Sequence, residues 1–530
     1  MGEAVELAGT ERFDDVIIGA GHNGLVAACY LALAGRDVCI VEAANQVGGA
    51  AISPQVFPGV DARLSKYAYL VSLLPDSVRA DLGVALPLVE RSTASYTPDP
   101  QNPARGLLVP SSRTQAFADH LTDFTGSAAE AARWQAFQDR MQLMAERVFP
   151  TLTTPLMDQR ALQRLMDDEA TWYDLFERPL GELLERTFTD DVVRGVVFTD
   201  GLIGTFSHGH DASLRQNACF LYHVIGNGTG DWDLPVGGMG ALTGALAQRA
   251  QELGVQIHLQ SPAVQVTSDG RNATVVIDAV AGKRTLRCTN VLANCAPAVL
   301  AALQGDQRAM ATTIHPGAQI KVNMLLQRLP TLQDSNVDPA QAFSGTFHVN
   351  EGYTQLNASF AAGERGVLPD PVPCETYCHT LGDRSILGPQ LQSTQAQTLT
   401  VFALNTPHAL FSYGRIDRAM ALRAVLASIN SVLAEPLEPL LMLDGNGEPC
   451  VDVSTTADLE HSLGIPGGNI FHTPLDMPFA LSAAEVGTWG VETALPNVYI
   501  CGAGARRGGG VSGIPGHNAA HAVLQASAAH

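Results

Sequence analysis

Positive charge is scarce in this 530-residue chain. Lys and Arg number 32 against 53 Asp and Glu, so the formal net charge is −21. Nucleic acid is not an expected partner, because binding it rests on basic side chains that neutralise phosphates. Long hydrophobic runs are lacking too. The longest apolar stretch, Val291 to Leu303, is broken by Asn294 and Pro297, and a membrane-spanning helix needs about 20 apolar residues. No transmembrane segment is expected. The first thirteen residues carry Glu3, Glu6 and Glu11 against one Arg12. They have neither the basic and apolar regions of a secretory signal nor the composition of a transit peptide. The nine cysteines are scattered and odd in number. Without a signal peptide they read as reduced thiols in a cytoplasmic protein. Internal repeats, low-complexity linkers, a P-loop and a Ser-His-Asp arrangement are also missing. Charged residues make up only 16% and hydrophobic ones 46%, with a mean hydropathy of +0.08. A large buried interior follows, and the length asks for two or more domains.

What the chain does have is a fingerprint near its start. Asp15-Val16-Ile17-Ile18-Gly19-Ala20-Gly21-His22-Asn23-Gly24 runs into Leu25-Val26-Ala27-Ala28, and Val38-Cys39-Ile40-Val41-Glu42 follows. The order is strand, tight turn, helix, strand, acid, and that context makes a dinucleotide site of a weak glycine pattern. Gly19 permits the turn, Gly21 lets a pyrophosphate approach the backbone, and Gly24 lets the helix pack on the sheet. The helix N-terminus at His22 and Asn23 offers free N–H groups and a partial positive charge to phosphates. Glu42, eighteen residues after Gly24, is placed to accept hydrogen bonds from an adenosine ribose.

The expected fold class is α/β. A Rossmann-like unit is assembled from residues 1–76, 232–312 and 462–530, and insertions 77–231 and 313–461 form a second, α+β domain over the substrate. The stretch through Trp134, Met141, Leu162, Leu183 and Phe220 reads as a helix-rich insertion. Ala241 to Leu253 is a helix with Gly254 as its stop. Strands follow at Val255–Leu259, from Val264, at Ala273–Val280 after an Asp269-Gly270 turn, and at Thr285–Ala293. A second set of strands and helices opens at Gln319 and extends to about Leu459. Asn497 to Gly504 is a strand ending in glycines, and Gly516 to Ala528 is a closing helix. A second domain over the carboxyl ends of the strands makes the cleft where chemistry belongs.

Four ordered motifs carry a family resemblance over most of the chain. They are Val16 to Ala28; Tyr222-His223-Val224-Ile225-Gly226 with Gly237-Gly238-Met239-Gly240-Ala241-Leu242; Gly467-Gly468-Asn469-Ile470-Phe471-His472; and Cys501-Gly502-Ala503-Gly504 with Gly508-Gly509-Gly510-Val511-Ser512-Gly513. The chain resembles phytoene-desaturase-related flavoproteins, most of all the branch named for pyridine nucleotide-disulfide oxidoreductase domain-containing protein 2. The resemblance implies an FAD-binding domain of the glutathione-reductase/amine-oxidase type. It implies that Gly19, Gly21 and Gly24 hold the FAD pyrophosphate, that Glu42 holds the ribose, and that Gly48-Gly49 lies near the cofactor. It also implies that the Val264 backbone contacts adenine and that Gly502 approaches the ribityl-phosphate arm. Gly510, Val511 and Ser512 would lie beneath the flavin ring. There a helix N-terminus stabilises the negative charge of reduced flavin by about 0.3–1 kcal/mol. Gln46-Val47 stands where many amine oxidases have Arg before the glycine doublet, a departure from a literal amine-oxidase pattern.

Disulfide reduction does not fit the residues. It needs a close cysteine pair soon after the first βαβ unit, and no cysteine lies between Cys39 and Cys219. Cys374 and Cys378 are spaced CxxxC far from that location. Lys321, on an apolar strand, is a candidate catalytic residue that holds a water near the flavin or stabilises its reduced anion. His223, before the return to the FAD domain, is a candidate acid or base; Trp232 and Tyr222 are candidate cavity walls. His208-Gly209-His210-Asp211 has no distant partner to complete a metal site, so no metal is expected.

The leading expectation is an FAD-dependent oxidoreductase that transfers hydride from a hydrophobic small molecule to flavin N5. A redox-neutral double-bond isomerase and a flavin-containing binding protein without turnover remain alternatives, as do monomer and homodimer. No second strand-GxGxxG-helix unit serves NAD(P)H: Gly238-Met239-Gly240 has Thr243 at its third glycine position. Electrons therefore pass by dioxygen, a quinone or the substrate. NADH and NADPH should be poor reductants of the bound flavin. Stopped-flow traces would contradict this if either cofactor reduced it at a turnover rate.

Overall fold

A computed structural model describes residues 10–112 and 114–528. Glu3 and Glu6, and the outermost ends of the segments 1–76 and 462–530, lie outside the described residues. Five strands form a parallel sheet in the order Val498–Ile500, Asn290–Ala293, Asp15–Ile18, Val38–Val41, Gln256–His258. Every residue of the first four is buried. Their near-continuous apolar runs suit strands covered on both faces. One face carries helices His22–Leu33, Met239–Glu252 and Ile514–Ala528. The other carries a four-stranded sheet of Thr10–Arg12, Gly282–Cys288, Ala273–Ala279 and Ala263–Ser268, with Phe13, Val16, Val275 and Leu286 between the layers. The sheet thus collects strands from the start, middle and end of the chain.

A seven-stranded sheet stands apart. Its order is Val451–Thr455, Ile320–Leu326, Gln397–Ala403, Cys374–Tyr377, Thr346–Val349, Thr93–Asp99, Asn102–Pro110. All pairs are antiparallel except Thr346–Val349 with Thr93–Asp99. The helix-rich insertion expected after Asp76 includes two strands, Thr93–Asp99 and Asn102–Pro110, that the sequence did not signal. The hairpin of residues 93–110 comes first and completes the sheet edge, because its apolar residues Tyr96, Leu107 and Val109 bury against sheet and helices. Helices then dominate from Gln115 to Val224. Ser127 caps the long helix Ala128–Val148 by accepting from the Glu130 N–H, which satisfies one of the free first-turn donors.

Small residues set the spacing of the nucleotide-binding layer. A Cβ on Gly24 would collide with the Gly19 carbonyl oxygen and lie 2.9 Å from Asn294 Nδ2. One on Gly516 would collide with the Asn23 carbonyl, so helices His22–Leu33 and Ile514–Ala528 touch along their backbones. Gly24→Ala should destabilise the protein by about 1–3 kcal/mol, as overpacking does. Urea denaturation compared with the parent chain measures this.

Candidate functional site

One cavity of about 850 Å³ runs from the glycine turn to the seven-stranded sheet. At its nucleotide end the strand Asp15–Ile18 stops and the chain turns through Gly19 at φ +102°, a conformation that favours glycine. Gly21 ends the turn as the N-cap of the helix His22–Leu33. Gly19, Gly21, His22, Asn23, Glu42 and Gly49 line this end. His22 Nε2 and Asn23 Oδ1 are buried without partners. The Glu42 carboxylate accepts from the N–H of Ala20 at 2.7 Å and of Ala44 at 2.8 Å, which fixes it at the cavity rim. Pro262, Ala263, Val299 and Leu303 add an apolar slot. Unpartnered polar atoms at a helix N-terminus, a glycine floor, a rim carboxylate and an apolar slot fit the parts of a dinucleotide.

Other residues expected at the cofactor act from behind. Gly24 and Gly48 do not line the cavity; Gly48 N–H donates to Ala20 O at 2.9 Å and braces the turn. Gly502 packs on the Asn294 backbone, where a Cβ would lie 2.8 Å from its oxygen. Val264 is 42% exposed and off the cavity wall, which its neighbours Pro262 and Ala263 form. Gly510 and Val511 line the cavity. Gly510 has φ +47°, and Tyr222 Oη occupies the place its Cβ would take. Ser512 faces away, its Oγ accepting from Ile514 N–H at 3.3 Å. Asn294 was missed by sequence reasoning. It lines the cavity and donates from Nδ2 to Gly19 O at 3.1 Å; a polar residue ending a buried parallel strand was its signal.

The far end is built by strand register. Lys321 pairs with Phe402, Phe402 with Glu375, and Glu375 with His348. These four side chains form one row across four strands and all line the cavity. Lys321 is 2% exposed, its Nζ has no hydrogen-bond partner, and it lies 3.5 Å from the Tyr69 ring centroid. Burial pushes its pKa well below the usual lysine value, so the ammonium gives up its proton readily. Glu375 accepts from Tyr377 Oη at 2.6 Å and Thr199 Oγ1 at 3.3 Å. Burial raises its pKa, and that of Asp200 on the same wall is pushed up to about 8. His223 lines the cavity, with Nδ1 donating to Cys219 O at 2.8 Å and its ring stacked on Trp232 at 5.5 Å. The imidazoles of His22, His223 and His472 are each lowered by burial to about 4, and that of His348 to about 3. All four are neutral near pH 7. Glu375 in a short strand and Asp200 in a helical turn are single acids with no local pattern by which they or the row could have been foreseen.

A second hollow of about 1550 Å³ lies beside the helices Gln115–Thr125 and Ala128–Val148. It meets the cavity at a shared wall of Arg91, Asp200, His223, Trp232, Thr346 and His348. Arg91 Nε donates to Trp232 O at 2.7 Å and Trp232 Nε1 to His223 O at 3.1 Å, which holds that wall together. The remaining motifs lie elsewhere. His210 bonds Glu185 at 2.8 Å and His208 packs on Phe360. Cys374 and Cys378 are buried free thiols, and neither lines the cavity. Among the described residues no helix is long and apolar enough to cross a membrane.

The model of the family described as flavin containing amine oxidoreductase matches residues 24–368. An uncharacterized protein of Mycobacterium tuberculosis is 46% identical over 524 residues, 97% of each chain. Pyridine nucleotide-disulfide oxidoreductase domain-containing protein 2 of Rattus norvegicus is 29% identical over 568 residues, 97% of this chain and 94% of that one. Among solved structures, a mutant of putrescine oxidase superposes with a TM-score of 0.61 at 16% identity, covering 98% of this chain and all of that one. That likeness concerns the fold.

Glu42→Ala should weaken FAD retention at least about tenfold, roughly 1.4 kcal/mol, while leaving the chain folded. Comparing flavin content after gel filtration with thermal unfolding of the stripped protein separates the two effects.

Proposed function

Because this chain belongs to the flavin-containing amine oxidoreductase family, with FAD as its cofactor, we propose that it oxidises a small, largely apolar molecule at carbon. FAD, when bound, supplies a two-electron acceptor for a hydride leaving that carbon. The observation that carries this reading is the single cavity joining the glycine turn to the row of Lys321, Phe402, Glu375 and His348. Gly19, Gly21, His22, Asn23, Glu42 and Gly49 hold the nucleotide, and Gly510 with Val511 supports the flavin end. Tyr69, Tyr222, Trp232, Phe402 and Phe471 wall the remaining space. They bury the apolar body of the substrate and exclude water. Glu375 and Asp200 face its polar group. The second hollow, with Phe117, Trp134, Phe137 and Phe220 on its surface, is the apolar approach to the wall of Arg91, His223 and Trp232.

Lys321 is one of three lysines in the chain, with Lys66 and Lys283. Burying an amine without a hydrogen bond is costly, and a functional task explains its retention. Held over Tyr69, it positions a water, or takes up a proton to offset the charge of the reduced cofactor. Reoxidation falls to dioxygen or a quinone. The free thiols suit a cytoplasmic setting.

Anaerobic mixing with primary amines, alcohols and unsaturated apolar compounds tests the reaction class. An oxidised substrate bleaches the flavin absorbance. Conversion without bleaching would instead point to isomerisation, and neither outcome across the series would make the protein a flavin-binding protein without turnover. Lys321→Met should keep FAD bound and slow flavin reduction or reoxidation at least about tenfold, roughly 1.4 kcal/mol of barrier. Unchanged rates in both half-reactions would remove Lys321 from the mechanism.

A further inference from the structure

The carboxyl of Glu351 is an anomaly. It follows the strand Thr346–Val349, is fully buried, and neither of its oxygens has a hydrogen-bond partner. One side-chain atom each from Glu351, Glu375 and His348 lie within 4.8 Å of one another. Glu375 faces the cavity and Glu351 stands behind it. Two adjacent buried carboxylates cannot both stay ionised without compensation. The groups facing the pair are Asp200, Lys321, Arg91, His348, Tyr377, Tyr69, Cys219, Cys374 and the Thr199 hydroxyl. Tyr377 and Thr199 already donate to Glu375. Arg91 spends hydrogen bonds on Trp232 O and Thr346 Oγ1. The Lys321 ammonium is disfavoured by its own burial, and Asp200 adds a further acid. A proton on Glu351 resolves the conflict, and burial together with the Glu375 charge raises its pKa far enough to hold one.

We propose that Glu375 is the proton acceptor of the cavity and that Glu351, protonated behind it, is the positioning residue that donates to its carboxylate. This rests on the oxidation reading above. An amine or alcohol losing hydride from carbon also loses a proton from its N–H or O–H. The C–H bond breaks with its electron pair leaving as hydride to the flavin, the C=N or C=O bond forms, and the N–H or O–H proton passes to Glu375. Tyr377 and Thr199 fix the acceptor orbitals of Glu375 toward the cavity, and Glu351 sets its proton affinity from the rear.

Infrared titration of the FAD-loaded protein tests the pair without any substrate, so its result stands apart from the bleaching experiment. Beside the Asp200 band, the wild type should show a second protonated-carboxyl C=O stretch at pH 7.5 that is absent in Glu351→Gln. As pH falls, a further carboxyl band should grow above the ordinary carboxylate range and vanish in Glu375→Gln, which separates it from Asp200. Glu351→Gln keeps a donor, so the Glu375 midpoint should hold. Glu351→Leu removes the donor, so the midpoint should rise. If Glu351 were ionised instead, removing its charge would lower the midpoint in both variants, and the proposal would fall. Should Glu351→Leu not fold, Glu351→Gln alone decides between an unmoved and a lowered midpoint. One equivalent of divalent metal in the purified protein, lost in Glu351→Gln, would also overturn it.

Discussion

Lys321, Phe402, Glu375 and His348 come from four separate stretches of chain, and a single row of strand pairing brings them together. Side chains alternate between the faces of a sheet, so a slip of one residue in any of these strands would turn its member to the opposite face. That opposite face is spoken for. Ile320, Val322, Met324, Phe347, Val349, Cys374, Val401 and Ala403 pack there in a continuous apolar core. The register that buries those residues is the same one that presents a lysine, a glutamate and a histidine to the cavity. The chemistry of the cavity is therefore inherited from the packing of the far side.

Burial then sets the charge state of what the register presents. In a low-dielectric setting the charged form of an isolated group is disfavoured. The cavity shows this in both directions. Imidazoles and the Lys321 amine lose protons, while Asp200 and Glu351 hold them. Few groups keep full charge, and those that do are hydrogen-bonded, as Glu375 is by Tyr377 and Thr199. An end of the cavity poised between protonation states is suited to moving a proton at little cost.

The glycine-turn end of the cavity is built by close approach and not by titration. Gly24 and Gly516 let three backbone segments meet with no side chain between them, and Asn294 ties the glycine turn to the next strand. These contacts bring a helix N-terminus to the cavity with unpartnered polar atoms on it. Tyr222 connects the two ends, since its hydroxyl rests against the Gly510 backbone while its ring packs on His223 and Phe471.

The glycine turn at one end of the cavity was legible in the chain because its determinants are local. Gly19 to Glu42 is one strand-turn-helix-strand unit, and the geometry that glycines and a terminal acid impose acts over a few residues. The amine-oxidoreductase family and its FAD cofactor follow from such motifs, as did the buried parallel strands from their unbroken apolar runs. The edge hairpin of residues 93–110 was not legible, because its strand Thr93–Asp99 is held by pairing with Thr346–Val349, more than two hundred residues away in sequence. Nor was the acid–base row. Glu375 sits between Cys374 and Thr376 with nothing beside it in sequence to mark its role, and its partners Lys321, His348 and Thr199 are distant in the chain. Residue type and local spacing determine the strand, turn and helix that we propose hold the dinucleotide. Which side chains face one another across the rest of the cavity depends on non-local register and burial, and only the folded chain specifies those.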